Sequence, residues 1–302
     1  MEVPQDEEVG LAEPVELLPL DLPSDTKRLR FGVTPALGAD VAHKSTAPLA
    51  AYLSDVLRIP VEIVVAETYD QLSIMLAENK VELALLPPLS YVKAKEQVSG
   101  LIPVVSKIGR GSHYSSYILV RAEDTIQSLD DLKGKRVAFV DPTSSSGFLL
   151  PYDHLMRNGI DPEEDLLSMT FAGTHAVALR MLALGQVDAA ASGSGIREIL
   201  KSELKDVDGA GDTRFRIIAN AGPIPYGAVC GRADFPEPGI RKIRRAFLQL
   251  STMSPQGRAV WRASGDITGW MMPNDLVYAG LRRKLSRVRK WRSEPTGARA
   301  ER

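Results

Sequence analysis

Residues Val137–Pro151 read Val-Ala-Phe-Val-Asp-Pro-Thr-Ser-Ser-Ser-Gly-Phe-Leu-Leu-Pro. A buried-type strand runs into a turn of consecutive hydroxyls and then into an apolar, helix-like segment. The first turn of a helix leaves backbone N–H groups without partners and carries the positive end of the helix dipole, so the stretch has the makings of an anion site. Thr143, Ser144, Ser145 and Ser146 can add hydroxyl donors, and Gly147 lets backbone approach a ligand closely. The turn itself holds no Lys or Arg, which suits reversible holding of a tetrahedral oxyanion better than chemistry on it. Ser and Thr also cap helices. One cap residue suffices for that, whereas four hydroxyls stand in a row here.

Outward from this stretch the chain is of globular type. Its 302 residues are 44% hydrophobic and 25% charged, enough for a sizeable core and against general disorder. A net charge of −1 gives no electrostatic footprint for nucleic acid. Cys230 is the single cysteine, which rules out an intramolecular disulfide and a thiolate-rich metal site. His43, His113 and His154 show no ligand spacing with one another, so no metal and no cofactor is expected. Met1–Leu20 carries six acidic residues and no Lys or Arg, unlike the basic start of a secretory signal, and the chain as written reads as not addressed for export.

Strands and helices alternate from Arg28 onward. Strands are expected at 29–34, 60–66, 82–86 and 101–106, with helices at 45–57, 69–79 and from Ser90. A second block repeats the grammar, with strands at 114–121, 136–140, 167–171 and 187–191 and helices at 147–158 and 175–184. This pattern predicts an α/β fold with mostly parallel sheets flanked by helices. Gly109-Arg-Gly111 and Gly222-Pro-Ile-Pro225 are the expected crossings between two lobes, one discontinuous. The expected division is a flexible acidic segment 1–27, a first lobe of 28–112 plus 223–285, a second lobe of 113–222, and a basic tail 286–302. Arg282–Arg292, with Trp291 interleaved, suits a solvated terminal helix better than contact with membrane headgroups.

The order of motifs resembles the phosphate/phosphonate substrate-binding proteins of ABC transporters. The residues that carry the resemblance are Arg30-Phe-Gly-Val33 with Pro35, Leu86-Pro-Pro-Leu-Ser-Tyr91, Ser128–Val137, Val140–Gly147 and Gly173-Thr-His175. It covers about residues 28–285. It implies a type II periplasmic binding protein: two α/β lobes, a two-strand hinge and a ligand in the cleft, with no catalysis. It further implies a small phosphorus oxyanion as ligand, an ABC permease as partner, a monomer and a periplasmic location. The anion falls by resemblance on Ser144, Ser145, Ser146 and the Gly147 amide, with Thr143 beside them, and on His175 and Tyr91. Tyr114, beside the first crossing, is a further candidate. From the residues alone, Tyr91 equally suits a buried aromatic with its hydroxyl paired, and His175 a packing role at a helix start.

Departures from the family pattern are Ala176 after the Gly-x-His, Ser192-Gly-Ser-Gly195, and Tyr226-Gly227 after Ile224-Pro225. Acidic or polar groups are common there in the family, so a ligand without an amine is expected. An anion sensor with the same fold is the alternative reading. An enzyme is disfavoured because the G-x-S-x-G, H-E-x-x-H and G-x-x-x-x-G-K-[ST] motifs are missing.

Overall fold

The fold is taken from a computed structural model, which describes residues 27–109, 111–194, 214–250, 253–263 and 267–294. The expected flexible lead-in lies outside them, apart from Lys27.

Leu29, Phe31 and Val33 of β1 (Leu29–Val33) are buried, and the strand runs parallel to its neighbour β2 (Val61–Val65). α1 (Ala39–Leu57) makes the crossover, starting after Gly38, whose φ of 102° is one that side chains rarely allow. α2 (Tyr69–Ala77) leads on to β3 (Leu83–Leu86), which lies parallel to β1 on its other side. β3 is an almost continuous buried apolar run, as expected of a strand covered on both faces. α3 (Pro88–Gln97) opens on a proline, whose missing N–H costs nothing at a first helical position, and is followed by β4 (Ile102–Gly109).

The chain then enters β5 (His113–Tyr114) and builds β6 (Ser116–Arg121), β7 (Arg136–Phe139), α4 (Leu150–Arg157), β8 (Ser168–Phe171), α5 (His175–Ala183), β9 (Ala189–Gly193) and β10 (Phe215–Asn220). It returns through β11 (Ile224–Pro225), which pairs antiparallel with β5, Ile224 opposite Tyr114. β12 (Ala228–Gly231), α6 (Glu237–Gln249), α7 (Pro255–Ala263), β13 (Ile267–Met271) and α8 (Ala279–Ser293) complete the fold. One sheet has the order β13-β4-β12-β3-β1-β2, the other β10-β6-β9-β7-β8, and the β5–β11 ribbon forms a separate two-stranded sheet.

The expectation of mostly parallel sheets needs correction, because both sheets are mixed. β1, β2 and β3 run parallel, but β12 lies antiparallel between β3 and β4, and β13 antiparallel to β4. In the other sheet β7 is parallel to β8 and β9, whereas β6 is antiparallel to β9 and β10. The cause is the double crossing. Strands joined by a helix come out parallel, while those that continue from the ribbon enter the sheets from the other end.

The basic C-terminal stretch also departs from expectation. It belongs to one continuous helix, α8, whose Leu281, Leu285 and Val288 are buried. Its cations meet acids of the same chain: Arg287 and Lys284 reach Asp153 of α4 at 2.6 and 3.6 Å, and Arg289 reaches Glu96 of α3 at 2.9 Å. A helix with one apolar stripe packs by that stripe, and its charges then fall beside the acids at the rim. Leu86 and Leu89 of the first lobe, Ile118 and Phe148 of the second, and Leu281 of α8 belong to one buried cluster.

Candidate functional site

The hydroxyl turn lies at the contact between the lobes. Asp141 starts it: its carboxylate accepts the Thr143 N–H at 2.7 Å, and its carbonyl accepts the Ser144 N–H at 2.8 Å. Ser144 caps the next turn of backbone, accepting the Gly147 N–H on its hydroxyl at 3.0 Å. Residues 145–149 form a π-turn ahead of α4. Pro151 has no N–H to offer Gly147, whose carbonyl instead accepts from Val140 at the end of β7, at 2.9 Å. The strand end therefore lies against the turn, and a Cβ on Gly147 would come within 2.3 Å of Val140. Glycine serves this close packing, and its amide is directed at Ser144.

The hydroxyls have different neighbours. Thr143 donates to Asp70 and accepts from Lys93, both at 2.7 Å, which ties it to two helices of the first lobe. Ser144 faces the phenol of buried Tyr69. Ser145 accepts the Leu89 N–H at 2.8 Å, from the first turn of α3. The Tyr114 phenol lies beside Ser145 and Ser146, and burial pushes its pKa up to about 12 against the lowering effect of those two hydroxyls. Ser145, Ser146, Tyr114 and the α3 N-terminus thus converge on one point, where helix ends of the two lobes face each other. Two carboxylates stand at the Thr143 side of the turn. Burial raises the pKa of Asp141 above the usual carboxylate range, and nearby Asp70 adds to the rise.

The other expected residues separate. His175 starts α5, is 7% exposed, and hydrogen-bonds Ser192 through Nδ1 at 3.0 Å. Burial lowers its pKa to about 4, so the imidazole is neutral at pH 7. Its backbone N–H donates to Ala36 of the first lobe at 3.0 Å, and Gly193, next to Ser192, lies against Ser146 and Tyr114. Tyr91 lies apart from the hydroxyl turn. It is buried against Tyr278, with ring centroids 4.6 Å apart, and donates its hydroxyl to Asp275 at 2.8 Å. Position 91 falls in the first turn of α3, where the helical period sends its side chain toward α8 and leaves Leu89 N–H for the hydroxyl turn.

A cavity of about 420 Å³ opens beside this cluster, lined by the loops after β1 and β3, the start of α1, Trp270 and the hinge residues Tyr114 and Tyr226. Tyr114 joins the two, its hydroxyl on the serines and its ring 5.5 Å from Tyr226. Lys107 also lines the cavity, and burial lowers its pKa to about 8. Among the described lining residues it is the one charged side chain. No group of His, Cys, Asp and Glu among the described residues could hold a metal ion.

Sequence reasoning missed Tyr69, Lys93, Asp70 and Lys107. Tyr69 carried a local signal at the start of α2, but its partner lies in the other lobe.

The family model for periplasmic phosphonate substrate-binding proteins of ABC transporters matches residues 31–278. The phosphate-import protein PhnD of Mycolicibacterium smegmatis is 35% identical over 185 residues, or 56% of this chain. That alignment spans 58% of the relative's own length. Among solved structures, PhnD1 of Prochlorococcus marinus in complex with methylphosphonate matches with a TM-score of 0.77 at 18% identity, covering 87% of this chain and 99% of that one. A binding-protein component of an ABC phosphonate transporter from Pseudomonas aeruginosa matches at 0.76 and 19%, covering 86% of each chain. No helix among the described residues is long and apolar enough to cross a membrane. With the family model matching most of its length, the chain belongs to the phosphonate family of periplasmic substrate-binding proteins of ABC transporters.

Proposed function

We propose that this protein captures a small phosphorus oxyanion between its lobes and delivers it, as a monomer, to an ABC permease. The observation that carries this reading is the convergence of Ser145, Ser146 and Tyr114 hydroxyls with the Leu89 N–H, across the lobe contact. Neutral donors at two facing helix N-termini suit an oxyanion. Lobe boundaries at 28–112 plus 223–285 and at 113–222 fit this reading, with the β5–β11 ribbon as hinge and α8 across both lobes. Closure about the ribbon brings α3 onto the serine turn, and the ligand favours the closed form through contacts made only there.

Within the site, Ser145, Ser146 and Tyr114 face the anion directly. Ser144, Gly147 and His175 hold the turn and its neighbour β9 in place, and Thr143 binds the lobes together through Asp70 and Lys93. The test is calorimetric titration of methylphosphonate and phosphate into the wild type and Ser145→Ala. A hydrogen bond to a charged oxygen is worth about 1.5–3 kcal/mol, so the variant is expected to bind roughly 10- to 100-fold more weakly. Unchanged affinity would move the anchor away from the turn.

A further inference from the structure

We propose that the ligand of this site carries an apolar substituent of several carbons on its phosphorus oxyanion, and that the substituent occupies the cavity beside Tyr114. The inference rests on the function proposed above and adds the class of substrate. A bare tetrahedral oxyanion needs the space of roughly two or three waters, on the order of 60–90 Å³. The cavity measures about 420 Å³, within the range of pockets that take organic ligands. Its wall is made chiefly of hydrocarbon, from Val33, Leu37, Leu49, Leu85 and Trp270. Apart from Lys107 and a few hydroxyls, among them those of Thr34, Thr46 and Ser194, such a wall offers an oxyanion little in exchange for its hydration. An alkyl or aryl group loses nothing by leaving water and gains contact with the whole wall.

The polar groups are arranged to match. The hydroxyls of Ser145, Ser146 and Tyr114 cluster at one side, and the Tyr114 ring turns from that cluster to the cavity. The space opens to solvent and is bordered by a lysine, as a ligand cleft is and a packing defect is not. Lys107 offers a positive charge with no carboxylate among the described lining residues, and an anionic ligand supplies the balance.

The experiment is calorimetry on the full chain with phosphate, methylphosphonate, butylphosphonate and phenylphosphonate. Each buried methylene tightens binding about fourfold, so butylphosphonate is expected to bind roughly 50-fold more tightly than methylphosphonate. Ala42→Phe, and independently Ser45→Leu, place bulk in the cavity from partly exposed positions of α1 and should reduce that ratio to within about threefold. Binding of phosphate and methylphosphonate with no gain for the longer chain would overturn this inference and leave the proposed function standing. So would a ratio that survives both fillings. No binding of any of the four would overturn both.

Discussion

The turn at Thr143–Gly147 and the cavity on the other side of Tyr114 are built on opposite terms. In the turn the hydroxyls stand among polar groups: Asp70 and Lys93 bond Thr143, the Gly147 N–H bonds Ser144, the Leu89 N–H bonds Ser145, and the Tyr114 phenol lies beside Ser146. In the cavity hydrocarbon dominates, and Lys107 faces it with no ion pair among the described residues. A matched polar cluster can trade its partners for ligand oxygens at small net cost, because one hydrogen bond replaces another. An apolar wall cannot trade in this way and selects by shape and by charge. Recognition of the anion and choice of its substituent are therefore assigned to different residues.

The largest effect expected from this division concerns an amine. 2-Aminoethylphosphonate would bring an ammonium into a cavity whose described lining has no carboxylate and already holds Lys107. A desolvated, unpaired charge costs on the order of 2–5 kcal/mol, so ethylphosphonate should bind more tightly by about that amount. Competitive titration of the two against one preparation checks it. Tighter binding of the amino compound would break the comparison and direct attention to Glu198 or Asp266, which lie outside the described residues.

A smaller effect is expected at the polar side. His175 has its folded pKa lowered to about 4 by burial, against about 6.5 in the unfolded chain. Between those values the unfolded state binds more protons, so this residue's contribution is whole above pH 6.5 and is lost as pH falls toward 4. The loss amounts to at most about 3 kcal/mol. Urea melts of wild type and His175→Gln at pH 7 and pH 4.5 should show a smaller acid loss in the variant. Equal losses would mean that His175 does not report on the packing behind the turn.

The smallest effect belongs to Lys107. Its folded pKa of about 8 lies below the unfolded value of about 10.4, so through this residue stability rises as pH climbs from 8 to 10.4. Ligand affinity should move the other way, since an anion favours the protonated amine. A partly solvated charge pair is worth on the order of 1 kcal/mol, so the ratio of wild-type to Lys107→Met affinity for methylphosphonate should fall about fivefold between pH 7 and pH 9.5. Taking the ratio cancels the ligand's own titration. A flat ratio would remove Lys107 from anion binding and leave the cavity purely a matter of shape.

Alternation of β and α elements, the helix starts at Thr143–Gly147 and at His175, and the ribbon beside Gly222-Pro-Ile-Pro225 were legible in the sequence, because each rests on rules acting within a few residues: periodicity, capping, and the backbone demands of Gly and Pro. Tertiary structure alone decided which hydroxyls face what. Thr143 meets Asp70 across 73 positions of chain and Lys93 across 50, and no local pattern encodes that meeting. The mixed sheets have the same origin, in a chain that crosses between lobes twice. So do the placement of Tyr91 against Tyr278 and the pairing of α8's cations with Asp153 and Glu96. The cavity is the furthest from the sequence, since Val33, Leu85, Lys107 and Trp270 come from four strands that only the pairing of the first sheet brings into one wall, with Tyr114 of the ribbon beside them.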